Sequence, residues 1–231
     1  SEPGANDWAR TCTAIVPDDT VLTLTATEPS GWRLFGWSEG GSPVVCQDDD
    51  GVLLTCEVTV AEARSITAEF IRIHDLSVAI TGQGRVTDFD PTDQEASGDI
   101  DCVRADSGPA SGDCIQTYDD NTPVTLFASA PEGWRFDSWS SNCAPVPDAP
   151  DVCVIEAMPF AMTYDRTVTA TFQPNFILAV TGEGAVSVSD GETLLDSCTA
   201  VEGCDLYVPV DTVLTLTADP DAGYEFRNYA G

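Results

Sequence analysis

Internal repetition is the feature that most limits how this 231-residue chain can fold. A shift of 102 positions places Cys12 on Cys114, and a further shift of 90 places Cys114 on Cys204. The same shifts align three sets of residues, namely Leu24, Trp32 and Trp37, then Leu126, Trp134 and Trp139, then Leu216, Tyr224 and Tyr229. Such recurrence indicates a tandem array of one module. We expect a first module at residues 1–73, a complete second module at 74–174 and a third at 175–231.

Each module has the sequence pattern of successive β-strands. Residues 76–86 alternate up to Gly82-Gln83-Gly84, which predicts a strand, a glycine turn and a return strand. The other recurring strands are a threonine-rich strand at 20–26, 122–128 and 212–218, and a closing strand at 64–70 and 166–172. Because no segment has a helical period of useful length, the sequence predicts an all-β fold.

The order of these motifs resembles a known family of bacterial repeats. The motifs are the strand and glycine turn, the threonine-rich strand, the Gly-aromatic-x-aromatic segment at 133–136, and the closing Val-Thr-Ala-x-Phe strand that ends at Phe172. Together they resemble the divergent branch of the internalin-type B-repeats, which occur in tandem in bacterial surface and secreted proteins, and the resemblance covers nearly the whole chain. It implies small β-grasp-like or β-sandwich-like modules that serve as spacers, stalks or adhesive elements, usually without catalysis. The cysteine pairs and the long acidic loops depart from the family pattern, so a function carried by the loops does not follow from it.

Cysteine spacing predicts disulfides. Eight of the nine cysteines form close pairs, Cys46–Cys56, Cys102–Cys114, Cys143–Cys153 and Cys198–Cys204. Zinc sites favour shorter gaps and often use histidine, whereas His74 is the single histidine of this chain. Disulfides therefore explain the pairs better than zinc does, and they indicate an extracellular or cell-surface location in an oxidising compartment.

The ninth cysteine, Cys12, has no predicted partner within the sequence. Its counterparts Cys114 and Cys204 pair with cysteines 12 and 6 positions earlier, and residues 1–11 contain none. The first module also has no counterpart of the opening hairpin, and the third has none of the closing strand. Two hypotheses remain open: Cys12 pairs with a cysteine upstream in a longer array, or it forms an intermolecular disulfide in a fibre whose incomplete modules complete one another.

The charge of the chain excludes two classes of partner. There are 39 acidic against 9 basic residues, a formal net charge of −30, so nucleic acid and anionic membrane would be repelled. Nor is there an apolar run of about 18 residues that would predict membrane insertion. All basic residues are arginines, so lysine–asparagine cross-links cannot form and disulfides must supply the covalent bracing.

Acidic clusters are the candidate metal ligands. Asp48, Asp49 and Asp50 lie between Cys46 and Cys56, and Asp88, Asp90 and Asp93 lie in the loop before Cys102. A bent loop of this kind could supply oxygen ligands to calcium, although neither stretch has an EF-hand register. The competing interpretation, which composition favours, is a solvated acidic loop. No other cofactor is expected.

The aromatic pairs and His74 are the remaining candidate sites. Five residues apart on an extended strand, Trp134 and Trp139 should point to opposite faces. We therefore place the second aromatic residue of each module in the core and leave the first partly exposed, where it could stack on glycan; these are Trp37, Trp139 and Tyr229 against Trp32, Trp134 and Tyr224. His74 is interpreted as a packing or hydrogen-bonding residue at the module junction. Because no nucleophile motif accompanies it, we predict that the protein is not an enzyme.

Two functions remain open from the sequence. The first is a structural or adhesive repeat segment of a bacterial extracellular protein, a disulfide-braced stalk or filament element whose partners are neighbouring repeats of the same or an identical chain. The alternative is a calcium- or glycan-binding module of a larger secreted enzyme or adhesin, with a surface glycan or protein as partner.

Overall fold

A computed structural model describes residues 11–44, 46, 54–90, 98–140, 142–155 and 162–229. The chain divides into two compact units, Ser1–Ile73 and His74–Gly231. All regular structure in the described residues is β, which confirms the predicted fold class. Within those residues there is no helix long and apolar enough to cross a membrane.

Unit 1 contains two small sheets around one core. Its strands are β1 (Thr20–Thr25), β2 (Trp32–Glu39), β3 (Ser42–Pro43), β4 (Thr55–Val60) and residues 66–72 of β5 (Ile66–Thr81). β1 pairs with β4, and β2 pairs with β3 and with β5, in each case antiparallel. The alternating residues of these strands bury Leu34, Trp37 and Val58 in a common cluster. The threonine-rich strand is half-buried, as its alternation predicts.

Unit 2 begins with residues 76–81 of β5 and continues with thirteen further strands. They are β6 (Gly84–Thr87), β7 (Asp101–Arg104), β8 (Ser111–Asp113), β9 (Ile115–Asp119), β10 (Val124–Ser129), β11 (Trp134–Trp139), β12 (Ala144–Val146), β13 (Ala149–Ile155), β14 (Arg166–Leu178), β15 (Gly184–Ser189), β16 (Leu194–Thr199), β17 (Cys204–Tyr207) and β18 (Thr215–Pro220).

The second module is built from two sheets that share one core. The first sheet has the order β12-β13-β10-β6-β7-β8, and in the second sheet β14 lies between β11 and β5, which also pairs with β9. β14 runs antiparallel to β11 and parallel to β5, from Arg166 opposite Leu76 to Thr171 opposite Thr81. Leu126 of the first sheet and Phe172 of the second are both fully buried in the shared cluster.

The third module, residues 175–229 as described, follows on the same strand β14. Residues 175–178 of β14 pair with β17, and a separate sheet has the order β16-β15-β18. The buried residues of this module are few, Val188, Cys198 and Cys204 forming its cluster.

The predicted opening hairpin of the second module is wrong. β5 pairs with β14 and β9, whereas β6 pairs with β10 and β7, so the Gly82–Gln83 connection carries the chain from one sheet to the other. Gly82 has a φ of 82°, a conformation that glycine adopts at little cost. A Cβ on Gly82 or on Gly84 would overlap Phe172. The glycines thus let the buried phenylalanine approach the backbone at the point where the sheets meet.

Replacing Gly84 by alanine tests this close approach. Because the added Cβ would overlap the fully buried ring of Phe172, we expect Gly84→Ala to lower the free energy of unfolding of unit 2 by about 1–3 kcal/mol. Thermal and urea unfolding measure the change. Gly36→Ala is the matched control, since a Cβ there meets nothing within 4 Å. Equal stability of the two variants would contradict the proposed packing.

Candidate functional site

The aromatic segment of the second module faces the core rather than a binding surface. Trp134, Phe136 and Trp139 all pack against the same core cluster. The pairing of β11 with β14 shifts between Phe136 and Ser138, which marks a β-bulge. Because a bulge adds one residue, it restores Trp139 to the face that Trp134 occupies. The expectation that the two tryptophans point to opposite faces is therefore wrong, and the structure does not present Trp134 as a separate stacking platform.

The corresponding aromatic residues of the other modules differ in exposure. In unit 1, Trp37 is 8% exposed and belongs to the core, as predicted. Trp32 is half-buried, and the guanidinium of Arg72 lies 5.1 Å from its ring centroid. In the third module Tyr224 is 56% and Tyr229 is 48% exposed, so the core position predicted for Tyr229 is wrong. No described strand covers this segment, and the Tyr229 hydroxyl donates to the carbonyl of Leu216 instead.

A hydrogen-bonded carboxylate closes the acidic loop of the second module. The backbone N–H groups of Asp99 and Ile100 donate to the carboxylate of Asp88 over 3.2 and 3.0 Å. The Tyr118 hydroxyl donates to the same carboxylate over 3.0 Å. Burial of the hydroxyl is the largest cause, and the negative charge of Asp88 the next, that raises the pKa of Tyr118 well above its ordinary value. Asp88 therefore ties the two ends of the loop to β9, a role that the acidic composition alone did not reveal.

The other candidate metal ligands are not brought together in the described part of the chain. Asp90 is exposed, and Asp48, Asp49, Asp50 and Asp93 lie outside the described residues. Within the ranges that the structure describes, no three histidine, cysteine, aspartate or glutamate side chains are placed to hold a metal ion. Calcium binding stays a prediction.

His74 lies between two acidic side chains in unit 2. It is 9% exposed, and its Nε2 atom is 3.0 Å from Oδ1 of Asp120. Its Nδ1 atom is 3.9 Å from Oδ1 of Asp165, which also accepts the N–H of Asp75. The imidazole thus links the turn before β10 to the segment before β14. This is the geometry of a structural cross-link, and it agrees with the interpretation of His74 as a hydrogen-bonding residue.

A surface groove beside β5 is lined in part by Arg104. The guanidinium of Arg104 donates to the carbonyl oxygens of Ile80, Gly108 and Ser107 over 2.9, 2.8 and 3.4 Å. Its cationic group is therefore engaged in holding the 104–108 turn against β5. Arg85 is likewise paired, through two hydrogen bonds of 2.7 and 2.8 Å to Asp101, and these bonds lower the pKa of that carboxyl.

Four disulfides lie at the cysteine pairs that the spacing predicts, with Cα–Cα distances of 4.6, 4.6, 5.8 and 5.0 Å in chain order. Cys102 belongs to β7 in the first sheet, and Cys114 directly precedes β9 in the second. The third module repeats this arrangement with Cys198 on β16 and Cys204 on β17. The disulfides Cys102–Cys114 and Cys198–Cys204 therefore join two layers in the second and third modules. Cys12 is a free, exposed cysteine.

One repeated structural feature was missed in the sequence. Asp19, Asn121 and Asp211 occupy corresponding positions before the threonine-rich strand, and all three have a positive φ, at 57°, 65° and 65°. Aspartate and asparagine tolerate this left-handed conformation better than most residues. The recurrence of Asp or Asn directly before threonine was the signal that could have predicted the turn.

Comparison with known proteins supports the repeat organisation. The family model described as the divergent InlB B-repeat domain matches residues 9–74, 99–176 and 196–231. Comparisons with curated proteins and with solved structures give no match.

Titration of Tyr118 tests the role of Asp88. The pKa of tyrosine in the unfolded chain is about 10, and the pKa of Tyr118 in the folded protein lies above it. The stability that neutral Tyr118 contributes is therefore fully present below about pH 10 and is lost as the pH rises from there through the folded-state pKa. In Asp88→Asn, we expect the pKa of Tyr118 to fall while burial keeps it above the ordinary value. Tyrosinate absorbance or NMR measures it, and exposed Asp113→Asn is the control. A Tyr118 pKa that is unchanged in Asp88→Asn would contradict this assignment.

Proposed function

Because the chain belongs to the divergent InlB B-repeat family, which indicates a bacterial surface repeat module, we propose that it is a structural segment of an extracellular protein. In this proposal the modules form a disulfide-braced stalk or filament element, and their partners are neighbouring repeats. The repeat family is typically non-catalytic, and the engagement of His74, Asp88 and Arg104 within the fold supports a structural role.

The strand shared by the second and third modules is the observation that carries the proposal. Residues 166–171 of β14 pair with β5, while residues 175–178 of the same strand pair with β17. The strand that closes one module is thus the strand that opens the next, with no linker between them. A continuous strand paired on both sides of the junction resists bending far more than a flexible linker would.

Contacts beside this strand reinforce the junction. The N–H of Asn175 donates to the carbonyl of Gly133 over 2.7 Å, and the N–H of Val208 donates to the carbonyl of Pro174 over 3.2 Å. The guanidinium of Arg135, in the second module, lies 4.7 Å from the ring centroid of Tyr207, in the third. Such a cation–π contact contributes about 0.5–2 kcal/mol. The backbone and side-chain contacts therefore support a fixed relation between these two modules, as a load-transmitting element requires.

The disulfides support an extracellular site of action, since such bonds persist in oxidising compartments. Disulfides also suit a protein exposed to proteases. They restrict the conformations of the unfolded chain, which stabilises the folded module against unfolding. The alternative of a calcium- or glycan-binding module has no specific support among the described residues, and it stays a prediction.

Interrupting β14 tests the shared strand. We expect the dipolar couplings of residues 74–174 and 175–229 to fit one alignment tensor in the 24.5 kDa parent chain. Inserting Gly-Gly-Ser-Gly between Pro174 and Asn175 should make two tensors necessary, because the two modules would then reorient independently. The control is the same insertion between Gly191 and Glu192, at the turn between β15 and β16. A parent chain that already needs two tensors would contradict the proposal.

Removing one disulfide tests the bracing. We expect Cys102→Ser with Cys114→Ser to lower the free energy of unfolding by about 2–3 kcal/mol, because the loop between these cysteines, which are 12 positions apart, is no longer closed in the unfolded chain. Denaturant unfolding measures the loss. Cys12→Ser is the matched control and should leave stability unchanged, since Cys12 is exposed and free. If the double variant were as stable as this control, the bracing role would be wrong.

A further inference from the structure

The chain enters and leaves the second module on two strands that pair with each other. β5 is one continuous strand that passes from unit 1 into unit 2, and β14 continues without a break from the second module into the third. Residues 76–81 of β5 pair with residues 166–171 of β14 over six positions, and the two strands are parallel. Tension between unit 1 and the third module therefore reaches the second module through these two strands.

The parallel direction determines how such tension acts on the paired strands. Tension from unit 1 pulls β5 from its first paired residue, Leu76, whereas tension from the third module pulls β14 from its last paired residue, Thr171. These two points lie at opposite ends of the pairing, separated by about 16 Å along the strands and only about 5 Å across them. The pull is therefore nearly parallel to the strands, and the evenly spaced hydrogen bonds of the pairing resist it together.

Buried side chains oppose sliding of one strand along the other. Val78 and Ile80 of β5 and Val168 and Ala170 of β14 are all buried in the same core cluster. A slip of one residue would turn the buried side chains of a strand toward the other face of the sheet. Sliding therefore has to break the core packing as well as the hydrogen bonds.

Both ends of the pairing carry further contacts. At the start, the N–H of Asp75 donates to the carboxylate of Asp165 over 3.0 Å, and the carboxylate of Asp75 accepts the hydroxyl of Thr117 over 2.6 Å. At the other end, the fully buried Phe172 lies so close to Gly82 that a Cβ there would overlap it. A force that draws β5 and β14 apart along their length must also break these contacts.

We propose that the paired segments 76–81 of β5 and 166–171 of β14 form a mechanical clamp, which keeps the second module folded when neighbouring repeats are under tension. The clamp depends on direction. It resists a force that acts along the strands from opposite ends, but it yields to a force that peels the strands apart from one end, because peeling breaks the pairs one at a time. The inference rests on the proposed function, since tension reaches the module only through its neighbours.

Single-molecule pulling on the 231-residue chain in two directions tests the proposal. Both proteins carry Cys12→Ser and a maleimide-linked handle at Asp75→Cys. The second handle is at Ile177→Cys in the shear protein and at Thr167→Cys in the peeling protein, and all three handle positions are exposed. At one loading rate, we expect the unfolding force of the second module to be at least about twofold higher in the shear protein, because the pairs then break together.

Two disulfides assign the unfolding event in the shear protein to the second module. Cys102–Cys114 and Cys143–Cys153 lie between the two handles and join cysteines that are 12 and 10 positions apart. The loops that they close do not extend when the module opens. A reductant added while the module is held open should therefore lengthen the chain by about 70 Å, at about 3.5 Å per residue.

Equal unfolding forces in the two directions would overturn the proposal, as would a lower force in the shear protein. Urea unfolding is expected to give the two proteins the same stability, since both lose the carboxylate of Asp75 and each loses one further exposed side chain. A difference in force then arises from direction alone. Failure of the proposed function is distinguishable, because the alignment tensors report the rigidity of the junction and do not depend on the force that opens the module.

Discussion

The second module depends on the position of β14 between β5 and β11. In the parallel pairing of β14 with β5, Arg166 lies opposite Leu76 and Thr171 opposite Thr81. Each pair of partners is 90 residues apart in sequence. It places the fully buried Phe172 against Phe136 and against the glycines at the connection between the sheets. Burying such a side chain stabilises a fold by about 1.5–3 kcal/mol. Because β14 then continues into the third module, the strand that completes one core also begins the next.

Covalent and ionic links inside the modules complement small cores. Small domains have a net stability of about 5–15 kcal/mol, so a disulfide that contributes about 2–3 kcal/mol matters. The disulfide of Cys102 and Cys114 joins the two sheets where hydrophobic contact alone would have to hold them. In a chain with 39 acidic residues and no lysine, several arginines form links within a module, as Arg85 does with Asp101 and Arg104 with the carbonyl of Ile80. The remaining carboxylates leave the surface strongly anionic.

The repeat register and strand alternation predicted the all-β class and the cysteine pairs, because both depend on local spacing. The wrong predictions concern places where a single residue shifts the strand register or carries the chain from one sheet to another. The bulge between Phe136 and Ser138 returns Trp139 to the face of Trp134. A prediction that assumes strict alternation of side chains along the strand cannot include such a bulge. Gly82 resembles a hairpin turn locally, but long-range pairing decides which sheet each flanking strand joins, since β5 pairs with β14 and β6 pairs with β10. Tyr229 is 48% exposed whereas Trp37 at the corresponding position is 8% exposed, a difference that strand alternation alone does not predict.

In the proposed function, the module junction on β14 is part of the folded core rather than a hinge. Hydrogen exchange of the backbone amides at Gln173, Asn175 and Phe176 measures this directly, because exchange of a paired amide requires local opening. We predict that these amides exchange as slowly as those of Val168 and Ala170, in the middle of the same strand. Exchange at the junction that approaches the rate of an exposed loop would contradict the account, because the modules would then be joined by a flexible segment.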